Sequence, residues 1–143
     1  MKGFAHTSPA LCALLTILIW ATPVNPQSKP PIDPATIQRK VQSSMELQKQ
    51  ALQGLNDLPQ AEKTVWNAYK QLSSAFNDMR LVANTKSPDP VLDLNIRKAY
   101  QALGLIQQAG DALQARREGA AEVARDRLQQ SLRITNLLLA TGF

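Results

Sequence analysis

Residues 57–83 read DLPQAEKTVWNAYKQLSSAFNDMRLVA. Val65, Tyr69, Leu72, Phe76, Met79 and Ala83 recur in alternating steps of four and three, and Trp66 widens the stripe. Such steps return to one side of a helix with 3.6 residues per turn, so the spacing predicts an amphipathic helix from about Pro59 to Ala83. Asp57 with Gln60 three residues on suits a capping box at its start. The run from Asn84 to Pro90 ends it, because proline lacks the N–H that a helix ladder needs.

The neighbouring text follows the same logic. Asp33-Pro34 is a helix opening: Asp accepts a free backbone N–H, and Pro suits the first helical position. Ile37, Val41, Met45, Leu52 and Leu55 then recur at helical spacing with Gln48 interrupting, and Asn56 to Pro59 closes the segment. Asp89-Pro90 repeats the opening, followed by Leu92, Ile96, Ala99, Leu103, Ile106, Gly110 and Leu113. Asp93 and Arg97 are spaced for a surface ion pair. Arg116-Arg117-Glu118-Gly119 reads as an end, with cations near the negative pole of the helix and then Gly. A last helix is expected over about Ala120 to Ala140, with Ala121, Ala124, Leu128, Leu132, Thr135 and Leu139 inward. Fusion of the last two helices is the alternative, since Ala120 and Ala121 are strong helix formers.

No run alternates with period two, so no strand is expected. Helices of similar length joined by short connections favour antiparallel neighbours. The expected fold is all-α: an up-down antiparallel helical bundle over residues 34–143, with four helices, or three if the last two fuse. Gly54, Gly104 and Gly110 are placed inside helices. Each costs about 1 kcal/mol there against Ala unless close approach of another helix offsets it.

Ahead of the bundle, residues 10–21 (ALCALLTILIWA) are uncharged and apolar, behind Lys2. A basic start followed by a short apolar run is the pattern of a secretory signal peptide. Residues 1–27 are expected to be that signal, cut between Ala21 and Ser28, although no clean small-residue cleavage site is present. An uncleaved anchor at residues 10–21 is the alternative; the run is short of the roughly 20 apolar residues that span a bilayer. Residues 28–33, with Pro30-Pro31, read as a stiff tether. The expected location is extracytoplasmic, periplasmic or secreted.

Export has a chemical consequence. The chain's only His (His6) and only Cys (Cys12) fall in the signal. The exported part then has no disulfide and none of the usual ligands for zinc, copper or haem iron. No metal or cofactor is expected. Nucleophilic catalysis lacks a His base, and Lys70 with Ser73 and Ser74 reads as a solvated face. Glu118, Glu122 and Asp126 share a helix face at i,i+4 spacing, but Arg117, Arg125 and Arg127 surround them, which favours an exposed charge lattice over paired catalytic carboxylates. The expectation is a protein that is not an enzyme.

Two candidate interaction surfaces remain. Ile134, Leu137 and Leu138 point in several directions within little more than one turn, more apolar surface than one buried stripe requires, so they are candidates for binding a protein partner or a second copy. Arg116, Arg117, Arg125, Arg127 and Arg133 are candidates for an anion. The chain is basic overall, with 16 Lys and Arg against 11 Asp and Glu and a pI near 9.7. That permits contact with an anionic envelope surface or polymer without requiring it. Nucleic acid is not expected, because interleaved aromatics and a helix-turn-helix are missing. The leading expectation is an adaptor, chaperone-like factor or assembly component of the cell envelope acting through protein–protein contact; the alternative is a basic bundle on an anionic surface.

Overall fold

The computed structural model of the chain describes residues 32–143. The signal segment at 1–27 and residues 28–31 of the tether lie outside the described residues. The described part is all-helical: α1 (Pro34–Gln53), α2 (Leu58–Thr85), α3 (Pro90–Ala115) and α4 (Ala120–Thr141), with no strand among the described residues. At 1.5 Å per residue the helices are about 30 to 42 Å long. Among the described residues, no helix is long and apolar enough to cross a membrane.

The caps explain why the helices start where they do. The Asp33 carboxylate accepts from Ala35 N (3.0 Å), Asp57 from Gln60 N (3.3 Å), and Asp89 from Val91 N and Leu92 N (3.0 and 3.3 Å). Each satisfies backbone donors that a first helical turn leaves open. The fourth helix starts without such a side chain: Gly119 stands at its N-cap with φ +80°.

One boundary differs from the sequence reading. The first helix stops at Gln53, and Gly54 lies just beyond it, its N–H returning to Gln50 O and Ala51 O. Gly54 therefore carries no mid-helix penalty. The last two helices are not fused. Arg116 takes a left-handed conformation (φ 52°), and Gly119 takes another three residues later. Two left-handed residues so close turn the chain sharply, and glycine adopts that conformation without the Cβ clash.

The helices form a bundle in which each packs on the next in sequence, and α4 returns to α1. Residue pairs across each sequential seam run in opposite directions. Lys40 pairs with Asp78 while Ser44 meets Ala68; Arg116 meets Glu62 while Tyr100 meets Phe76; Asn95 meets Gly142 while Ser131 meets Ala102. The Asp93–Arg97 pair expected on α3 is not among the ion pairs of the described residues.

The core is rich in alanine. On α2 the buried line is Ala61, Val65, Ala68, Leu72, Ala75 and Met79. The predicted stripe was centred a little to one side: Tyr69 and Phe76 are half-buried flanks. Close helix approach favours small side chains on the axis of contact, and the rings cover the rim. There Trp66 meets Tyr69 edge-on at 5.8 Å, and the Arg80 guanidinium lies 5.7 Å from the Phe76 ring centre.

Candidate functional site

The apolar end of α4 divides cleanly. Leu138 is fully buried in the bundle's own core, so it is not available to a partner; it takes the inner place that the sequence reading gave to Leu139. Ile134 is partly buried against that core, whereas Leu137 is 53% exposed. Across the α3–α4 seam, Val91 and Leu94 are also about half exposed. Leu94 lies on the flank of α3 opposite Gly110 and Tyr100, the residues that meet α2, so it faces the α4 side. The rim of this seam thus carries Leu94, Ile134 and Leu137. The sequence reading did not single out Leu94, because it falls off the buried stripe of α3.

The five arginines are not gathered on one face. Arg116 and Arg117 sit in the α3–α4 turn, and Arg125, Arg127 and Arg133 on α4. Positions 125 and 127 differ by about 200° around a helix. Arg116 pairs with Glu62 at 3.0 Å and Arg127 with Asp126 at 3.4 Å, which offsets two of the five charges. Asp126 also accepts from Gln130 Nε2 at 2.8 Å. Glu118 and Glu122 are not drawn into an ion pair among the described residues. No group of three or more His, Cys, Asp or Glu side chains that could hold a metal ion occurs among the described residues.

The bundle interior holds a feature that the apolar stripes conceal. Ser44, Gln48, Asn95, Ser131 and Thr135 are all buried. Ser44 Oγ donates to Ala68 O (2.8 Å), and Thr135 Oγ1 donates to Ser131 O (2.8 Å). Both hydroxyl protons are thereby used, so each hydroxyl oxygen can only accept from Gln48, whose Nε2 lies 3.3 Å from both. This fixes the orientation of the Gln48 amide and leaves its Oε1 buried with no partner among the described residues. Ser131 Oγ reaches Ala102 O at 3.4 Å, so the polar layer touches all four helices. Gln48 sits between Met45 and Leu52 on the stripe of α1. A polar residue on an apolar stripe is the sequence trace of such a layer, although its partners are invisible in the text.

A buried carbonyl without a donor costs about 1–3 kcal/mol, whereas removing polar atoms in favour of an apolar group of similar shape is often neutral or better. Gln48→Met removes the stranded oxygen and leaves Ser44 and Thr135 still donating to backbone. It is expected to leave stability unchanged or raise it by up to about 1 kcal/mol. Urea denaturation measures this; a loss above about 2 kcal/mol would show that the amide's two bonds outweigh its stranded oxygen.

No protein-family model matches this chain, and neither a curated protein nor a solved structure matches it.

Proposed function

We propose that the protein is an exported, non-enzymatic, up-down antiparallel four-helix bundle that works by binding another protein or a second copy of itself in the cell envelope. The observation that carries this reading is the half-exposed Leu137, with Leu94 and the partly buried Ile134 on the rim of one seam. Half-exposed apolar side chains gathered along one seam supply the kind of surface that a partner covers. The dispersal and partial pairing of the arginines favour this reading over the anionic-surface alternative.

Leu137→Lys tests it. Leu137 contributes little to the core, so helical content by circular dichroism is expected to hold. Self-association by analytical ultracentrifugation, or cross-linking to an envelope protein in the native host, is expected to fall severalfold. A variant that associates and cross-links as the wild type does would remove the basis of the proposal. Export has its own test: mass spectrometry of protein from the native host is expected to show an N-terminus between residues 22 and 29. Full-length chain in the cytosol would remove the localisation while leaving the binding surface in place.

A further inference from the structure

At one end of the bundle, α1 and α3 begin and α2 and α4 end. A recess of about 70 Å³ opens there, lined by Ile32, Ile37, Val82, Leu92 and Phe143 together with Asn95. One water needs about 10–15 Å³ by the same measure, so the space exceeds a single hydration site severalfold.

Asn95 gives this apolar recess a polar point. The residue is only 1% exposed. Its Nδ2 donates to Gly142 O at 2.9 Å. A carbonyl oxygen only accepts, so the amide nitrogen must face Gly142, and the amide oxygen is the group left over. That Oδ1 is buried and has no partner among the described residues. Small-molecule sites combine these elements: a mostly apolar concavity and a few placed polar groups.

The rim bears on the charge of an occupant. Lys86 and Asp89 both line it. The Asp89 carboxylate is committed to capping Val91 N and Leu92 N. The two side chains carry opposite charges, so the mouth selects neither sign.

We propose that this recess binds a small uncharged molecule with an apolar body and one hydrogen-bond donor, such as an aliphatic alcohol or a primary amide, with the donor directed to Asn95 Oδ1. The occupant's apolar part replaces water against Ile37, Val82 and Leu92, and a small shift of the Asn95 side chain lets its donor reach the stranded carbonyl. The recess opens at the end of the same α3–α4 seam, but Leu94, Ile134 and Leu137 are not among its lining residues.

The test uses 1-butanol, its isomer 1-methoxypropane, which has no O–H, and butanoate. Each is titrated into the purified protein and followed by the backbone and side-chain amide NMR signals of Leu92, Asn95 and Phe143. Saturable binding of 1-butanol is expected, on the order of tenfold tighter than that of the ether, which cannot donate. Val82→Phe, which puts a larger side chain at a lining position on α2, is expected to abolish binding with the circular dichroism spectrum intact. Asn95→Leu is expected to remove the preference for the alcohol. Equal affinity for alcohol and ether in the wild type, tighter binding of butanoate, or absence of saturation each overturns the proposal. The wild-type comparison decides the matter even if a variant fails to fold.

Discussion

Leu138→Ala is expected to lower the unfolding free energy by about 2–5 kcal/mol, while Leu137→Ala, one residue earlier, is expected to change it by less than about 0.5 kcal/mol. Leu138 is fully buried and Leu137 is 53% exposed. Truncating the first removes apolar atoms from the core and leaves a cavity that neighbours on four packed helices fill only in part. Truncating the second trims a side chain already in contact with water. Guanidinium or urea titration of both variants measures the difference. At roughly 4–8 °C per kcal/mol for a domain of this size, it is also readable as a melting shift. Equal small losses would mean that α4 is rotated about its axis relative to the described packing.

The same substitution at two glycines of α3 is expected to have opposite signs. A Cβ on Gly110 falls 2.7 Å from Trp66 Cζ2 and 2.8 Å from its Cε2. No side chain tolerates that spacing, so Trp66 or the α2–α3 seam must shift. Such overpacking costs about 1–3 kcal/mol, which outweighs the helix-propensity gain of about 1 kcal/mol. A Cβ on Gly104, six residues earlier, meets nothing within 4 Å. There Gly104→Ala keeps the propensity gain and is expected to stabilise by up to about 1 kcal/mol. Thermal melts of both variants test the pair, and Gly110→Ala in a Trp66→Ala background is expected to lose most of its penalty. Destabilisation by both alanines to the same extent would show that Trp66 does not set the cost.

The two glycines also show how far the amino-acid sequence could be read. Both sit inside one amphipathic pattern and carry the same conformational penalty. Nothing local reveals that one faces an indole from another helix. The helices themselves were legible because their determinants are local: an Asp at the cap, a Pro in the first turn, an apolar residue every three or four positions. Their rotation was less so. Tyr69 and Phe76 score as strongly apolar, yet the axis of contact belongs to Ala68 and Ala75, because interhelical distance decides which size fits. The polar layer was legible only as a gap at Gln48, since Thr135 lies 87 residues away. Of the surface candidates, Leu137 is exposed as the crowded apolar run implied, while Leu138 belongs to the interior. Their separation depends on helix rotation to within one residue. The dispersal of the arginines follows from α4 being a single helix: clustering in sequence spreads around its circumference.

The return of α4 to α1 sets the order in which the bundle comes together. Three of the four seams join neighbours through turns of four residues, so their closure costs little chain entropy. The α1–α4 seam joins distant segments and is the least extensive of the four. It is therefore expected to form last, since it returns the least contact for the loop closure it demands. Native-state opening is expected to be easiest at this seam, which joins the shortest helix to the last one. Native-state hydrogen exchange is expected to show weaker protection in α1 than in α2 and α3; equal protection in all three would show that the bundle opens only as a whole.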